Sequence, residues 1–210
     1  MNQQNPNYFD FYKITAGSIS HFIIRCNFPY FVIKLNNMII FVDMDEVIAD
    51  TYGAHIELYN QEFKGELTTE FCAGSEVWRM VPEAHQESVK KHATRRGFFR
   101  NLKPIPGSQE ILAQLSNKHD VYIASAAMQF PNSLEEKSDW LDEHFPFIPW
   151  QNRILCGHKH ILKGDVLIDD RNYNLEKFNG RALQFTSPHN INTSGFERVD
   201  TWFEIANKLM

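Results

Sequence analysis

The apolar positions of this chain fall into short runs between polar turns, and the runs alternate between two periods. Ile39-Ile40-Phe41-Val42 is a continuous β-branched and aromatic run, the pattern of a strand buried on both faces. Val121-Tyr122-Ile123-Ala124, Arg153-Ile154-Leu155-Cys156, Val166-Leu167-Ile168 and Ala182-Leu183-Gln184-Phe185 read as four further strands. Between them the apolar spacing changes to that of a helix. Val47, Ile48, Tyr52, Ile56, Tyr59 and Phe63 predict a helix over 47–63, stopped by Gly65. Helices are also expected from Pro82 to about Arg96, Ser108 to Asn117, Ser133 to His144 and Thr201 to Leu209. Strands alternating with helices predict an α/β fold with a Rossmann-like parallel sheet.

The interval between the first and second strands is long and lacks strand alternation. It reads as a small helical insert over 53–99, with the α/β core formed by 38–52 and 100–210. Residues 1–37 are different. They begin polar and turn aromatic and β-branched, and Phe31-Val32-Ile33 has the pattern of an edge strand. They are expected to be an accessory or even spurious extension, with the working domain starting at Met38.

The strand ends change the picture from fold to chemistry. The first strand runs into Asp43-x-Asp45, the second ends at Ser125, and the fourth at Asp169-Asp170. Open α/β sheets collect ligands at the carboxyl ends of their strands. Carboxylates gathered there repel unless a cation or a shared proton relieves them. An oxygen-only ligand set points to Mg²⁺, which keeps several waters and favours phosphate as a further ligand. A phosphorylated substrate follows, and Lys137 and Lys159 are candidates to balance its charge. Cys156-x-His158-x-His160 invites a zinc reading, but a structural zinc site needs a fourth ligand. These residues are read as loop and core.

Composition excludes several classes. The chain has 210 residues, 43% hydrophobic and 22% charged, and a net charge of −5. That suits one soluble globular domain with a small insert. An acidic chain is a poor partner for a nucleic-acid polymer, which needs clustered Lys and Arg, but one phosphate needs only a few local cations. Cys26, Cys72 and Cys156 are scattered and odd in number, which favours the cytoplasm over a disulfide framework. The most apolar stretch, from Ile19 to Leu35, is broken by His21, Arg25, Asn27 and Lys34, so no membrane span or signal peptide is expected.

In order, Asp43-Met44-Asp45, Ser125, a lysine and Asp169-Asp170 resemble the four motifs of the haloacid dehalogenase (HAD) superfamily of phosphatases. The likeness narrows further. Asp43-Met44-Asp45-x-Val47-x-Ala49-Asp50, Leu102-Lys103-Pro104-Ile105-Pro106-Gly107, Glu136-Lys137-x-x-Trp140, Leu167-Ile168-Asp169-Asp170-Arg171 and Phe185-Thr186-x-x-His189-Asn190 are similar to the 5′(3′)-deoxyribonucleotidases. There are departures. Glu46 stands where many members have Gly, the second motif reads Ala124-Ser125-Ala126-Ala127 where the animal enzymes have Thr-Ser-Pro, and the insert matches poorly.

The resemblance implies a HAD core with a cap inserted after the first strand, and a Mg²⁺-dependent phosphatase of (deoxy)nucleoside monophosphates. It implies Asp43 as the nucleophile that forms an aspartyl-phosphate, and Asp45 as the general acid and base. Ser125, Ala126, Lys159 and Lys137 then bind phosphate. Asp43, Asp170 and the Asp45 main-chain carbonyl hold the metal, with Asp169 orienting the shell. Phe71, Trp78, Phe98 and Phe99 are candidates to stack on a base. Two alternatives stand beside this: the same chemistry on another small phosphate ester, and a nucleotide-binding protein without turnover, its metal shell disturbed by Glu46. The oligomeric state is left open, a homodimer included.

Overall fold

A computed structural model describes residues 10–16, 19–25, 31–32 and 37–210, with side chains from residue 37 onwards. The chain divides into two units, Met1–Asn37 and Met38–Met210. In the first, β1 (Asp10–Ala16) pairs antiparallel with β2 (Ile19–Arg25), and β2 with β3 (Phe31–Val32). β3 falls within the expected edge strand, whose last residue, Ile33, lies outside the described residues. The β1–β2 hairpin was not read from the sequence.

The second unit is built on a six-stranded parallel sheet in the order β6-β5-β4-β7-β8-β9. Its strands are β4 (Ile39–Val42), β5 (Asp120–Ser125), β6 (Arg153–Leu155), β7 (Val166–Asp169), β8 (Arg181–Phe185) and β9 (Glu197–Val199). The period of two is visible in the packing. Ile40 and Val42, Val121 and Ile123, and Val166 and Ile168 face one apolar core, while Phe41, Ala124 and Leu167 face another. The larger core is closed by α4 (Ser108–Lys118), α5 (Ser133–His144) and α7 (Trp202–Leu209), through Leu112, Trp140 and Trp202 among others. The smaller one is closed by Leu175 of α6 (Asn172–Leu175) and by Phe178. The expected α/β class, with a parallel sheet between helices, is the fold observed.

Three elements differ from the expectation. The helix predicted over 47–63 begins at α1 (Thr51–Phe63), capped by the Asp50 side chain, which accepts from Gly53 N. Val47, Ile48 and Ala49 are buried in the main core, so their apolar character reflects a buried turn rather than a helix face. Glu46, at φ 61, is outside the helical region and separates that turn from β4. The helix predicted from Pro82 to about Arg96 is only α3 (Glu83–Lys90), followed by a 3-10 turn at His92–Thr94. β9, three residues long, is too short to carry a periodic signal.

Between α1 and α4 the chain carries α2 (Thr69–Cys72), α3 and several 3-10 turns. Tyr52, Ile56, Tyr59, Cys72, Val77, Val81 and Val89 form an apolar cluster separate from both sheet cores. The sheet end near Met38 is closed locally. Met38 N donates to His119 Nδ1 at 3.3 Å, and Ile39 N donates to Asp165 Oδ2 at 2.7 Å. A chain beginning at Met38 is therefore expected to unfold in one cooperative transition within a few degrees of the full chain. Calorimetry checks this, and a shortened chain that fails to fold contradicts it.

Candidate active site

The parallel register brings the polar strand ends into one row. Val42 lies opposite both Ile123 and Ile168, so Asp43 is level with Asp169, and Ser125 stands one residue further along β5 than that row. β4 has β5 on one side and β7 on the other, so this row lies at the point where the strand order reverses. Asp43, Asp169 and Asp170 are all buried, and one oxygen from each lies within 4.8 Å of the others.

Lys159 joins two of the three. Its Nζ is 2.6 Å from Asp43 Oδ1 and 2.6 Å from Asp169 Oδ2. Burial disfavours this ammonium, but Asp43 and then Asp169 outweigh it and raise the lysine's pKa. Asp169 is further engaged, accepting from Arg171 N at 2.9 Å and from Asn174 Nδ2 at 3.0 and 3.1 Å. Asp170 is held on one side only. Its Oδ2 lies 3.2 Å from Arg171 Nε and 3.3 Å from His189 Nε2, while its buried Oδ1 has no hydrogen-bond partner among the described residues. Burial, and then the charges of Asp169 and Asp43, push its carboxyl well above the usual range. Burial also raises Asp43, against the pull of Lys159. A buried carboxylate oxygen left open beside two other carboxylates is a donor set that fits a hard cation.

Asp45 turns the other way. Its Oδ2 accepts from Lys137 Nζ at 2.6 Å, and the same ammonium donates to Ser125 Oγ at 2.9 Å and sits 4.7 Å from the centre of the Phe99 ring. Lys137 is thus a buried side chain on α5 rather than part of a solvated helix face. Its neighbour Glu136 accepts from Gly97 N at 2.6 Å and Phe99 N at 3.0 Å. Gly97 sits at φ 88, a conformation that strains any residue with a side chain. One turn of α5 therefore places both Lys137 and the Phe98–Phe99 segment.

Asp43, Asp45, Lys137, Lys159 and Asp170 line a cleft of about 590 Å³ together with Ala126, while Ser125 and Asp169 are fully buried and do not line it. Trp78, Phe98 and Phe99 border it, but Phe71 does not and is 61% exposed. Phe130, not singled out from the sequence, takes part instead. Lys90 Nζ lies 4.4 Å and Arg79 Cζ 4.9 Å from the Trp78 ring centre. Arg171, also missed, bridges from the loop after β7 to the segment between α2 and α3, with Nη1 2.6 Å from Glu76 Oε1. Only its place beside the Asp169-Asp170 pair could have marked it. Glu46 does not join the carboxylate cluster. Its side chain accepts from Tyr52 N, Thr51 Oγ1 and Ser187 Oγ, and burial pushes its pKa up to about 7. His158 and His160 are exposed, and among the described residues the aspartate cluster is the one group with metal-ligand spacing.

The model of the family described as "5' nucleotidase, deoxy (Pyrimidine), cytosolic type C protein" matches residues 37–210. This chain belongs to that nucleotidase family. A 5'(3')-deoxyribonucleotidase of Bacillus subtilis is 39% identical over 175 residues, 82% of this chain and 98% of that protein. A Staphylococcus epidermidis relative is 42% identical over 166 residues, 79% of this chain and 92% of that protein. Among solved structures, a haloacid dehalogenase-like hydrolase of Streptococcus pneumoniae covers 83% of this chain and 99% of its own, at 11% identity and a TM-score of 0.51. A Bacillus subtilis HAD hydrolase, solved bound to magnesium, covers 82% and 98% at 12% identity and a TM-score of 0.54. At those identities the likeness is one of fold. Membership of the nucleotidase family makes the chain a phosphoric monoester hydrolase. No helix among the described residues is long and apolar enough to cross a membrane.

One titrating pair reaches the cleft through His55. His55 Nδ1 lies 3.2 Å from His92 Nδ1, with the two rings stacked. Burial, and then His92, lower the His55 pKa to about 4. The folded chain therefore prefers neutral His55, a contribution present above the ordinary histidine value and lost as pH falls through about 4. Melting temperature measured from about pH 7 down to pH 4 should fall less steeply in His55→Phe than in the wild type. Parallel curves for the two proteins contradict this.

Proposed function

We propose that this chain is a Mg²⁺-dependent phosphatase of (deoxy)nucleoside monophosphates, working through an aspartyl-phosphate on Asp43. The observation that carries the reading is the position of Asp43. It is buried, level with Asp169, in contact with Lys159, and borders a cleft of about 590 Å³. That volume lies within the roughly 300–1,000 Å³ of small-molecule sites.

Asp43, Asp170 and the main-chain carbonyl of Asp45 hold the Mg²⁺, and Asp169 orients the shell from its bonds to Lys159 and Asn174. The ion, when bound, withdraws charge from the phosphoryl oxygens. An Asp43 oxygen attacks phosphorus, and the ester P–O bond breaks. Asp45, held by Lys137, gives its proton to the leaving alkoxide. Asp45 then takes a proton from a water, which attacks the aspartyl-phosphate and frees inorganic phosphate and Asp43. Ser125, Ala126, Lys137 and Lys159 hold the phosphoryl oxygens as charge builds on them.

Residues 53–99 act as a cap over this site, attached to a core of 38–52 and 100–210. Trp78, part-exposed on the cleft wall, offers a face on which a base stacks, a contact worth roughly 1–3 kcal/mol, while Phe98 and Phe99 back that wall as buried rings. A cytoplasmic setting suits the free thiols of Cys72 and Cys156.

A panel of phosphomonoesters with Mg²⁺ tests the reading. Deoxynucleoside monophosphates are expected to be hydrolysed faster than sugar phosphates, and EDTA should abolish turnover. Asp43→Asn should remove activity, and Asp45→Asn should lower it by about 10²–10⁴-fold. Equal turnover across the panel defeats the nucleotide assignment, and a working Asp43→Asn defeats the aspartyl-phosphate.

A further inference from the structure

Glu46 carries two costs at once. Its φ of 61 is in the left-handed region, which disfavours a residue with a Cβ. Its carboxylate is also buried, with 5% of the residue exposed. Strain of this kind persists only where surrounding contacts over-determine it.

Those contacts reach in two directions. Oε1 accepts from Tyr52 N at 2.5 Å and from the Thr51 hydroxyl, which ties the Asp43–Asp45 loop to the first turn of α1. Oε2 accepts from Ser187 Oγ at 2.9 Å, beyond β8. Because the Ser187 proton goes to Glu46, Ser187 Oγ is free to accept from His189 Nδ1, 2.8 Å away. His189 Nε2 lies 3.3 Å from Asp170 Oδ2, but burial holds the His189 pKa down to about 4, and in the neutral Nδ1–H tautomer Nε2 carries no proton, so the ring packs beside Asp170 without donating to it. Asn190, the next residue, donates from Nδ2 to the Asp170 main-chain oxygen at 2.8 Å. The 187–190 segment therefore touches Asp170 through both side chain and backbone, and Glu46 holds the near end of that segment.

We propose that Glu46 is a positioning residue. Through Ser187 it holds the 187–190 segment, whose Asn190 donates to the Asp170 main-chain oxygen and so sets the position of Asp170, and with the same carboxylate it fixes the start of α1. A glycine in its place relaxes the backbone but deletes the link. The inference rests on the reading above in taking Asp170 as a cation ligand. It adds that the set of that ligand depends on a residue outside the carboxylate cluster.

The test is Mg²⁺ binding to the full chain by isothermal titration calorimetry, with melting temperature followed in parallel. Ser187→Ala leaves Glu46 and its bonds to α1 in place and cuts its link to the 187–190 segment. Glu46→Gly removes it at the other end. Both are expected to weaken Mg²⁺ binding by roughly 10–100-fold, the usual effect of losing a group that orients a ligand. Ser187→Thr, which keeps the hydroxyl, should restore it. Unchanged affinity in both variants overturns the proposal, as does a loss that only follows a loss of thermal stability. A wild type that binds no Mg²⁺ defeats the cation site itself. In that event the ¹⁵N signals of His189 decide: an Nδ1–H tautomer present in the wild type and lost in Ser187→Ala and Glu46→Gly supports the link, and an unchanged tautomer refutes it.

Discussion

Three buried carboxylates cannot lie within 4.8 Å of one another unless something opposes their repulsion. At an effective dielectric of about 20, each such pair costs on the order of 3 kcal/mol. Lys159 meets two of them, Asp43 and Asp169, and Arg171 reaches the third. The compensation is incomplete, because Asp170 Oδ1 is buried and has no hydrogen-bond partner among the described residues. A cluster of this kind is relieved by a cation or by a shared proton, and the surrounding fold keeps it in place.

The sheet supplies that stability by putting β4 between β5 and β7, with apolar side chains on both faces. The strands cannot slip by one residue without turning Ile40 and Val42 out of the larger core. The loops beyond the strands are pinned as well. Trp202 Nε1 donates to Val47 O and Trp140 Nε1 to Leu102 O, both at 2.8 Å, from indoles that are fully buried. Packing thus fixes the register, the register fixes which polar residues share a row, and that row decides the chemistry.

Much of this was legible because β-strands advertise themselves as unbroken apolar runs, and their polar ends are then conspicuous. Asp43, Asp45, Ser125, Asp169 and Asp170 stand out for that reason, and the fold gathers them. Lys137 and Lys159 needed more, since a lysine between Glu136 and Ser138 looks like any exposed helix position until Asp45 and Ser125 are beside it. Contacts made by single residues across the chain left no trace. Glu46 and Ser187 are far apart in sequence, and neither belongs to a periodic pattern. Phe71 and Phe130 illustrate the same limit: aromatic character predicts burial, but which face is buried depends on turns that short segments do not encode. The buried turn at 47–49 mimicked a helix because one apolar face serves either geometry.

The stretch from α1 to α4 has an apolar cluster of its own, from Tyr52 to Val89. Its two connections to the core are each gripped by a buried carboxylate. Glu46 receives the first turn of α1, and Glu136 receives the amides of Gly97 and Phe99 at the return. Each of these glutamates is adjacent in sequence to a group of the candidate site, Asp45 in one case and Lys137 in the other. The backbone that aims Asp45 and Lys137 toward each other therefore also aims the two ends of that stretch, and the separation between the aromatic wall and the carboxylate cluster is set by short bonds within the core. Arg171, bonded to Glu76 between α2 and α3 and lying beside Asp170, closes the same arrangement from the far side.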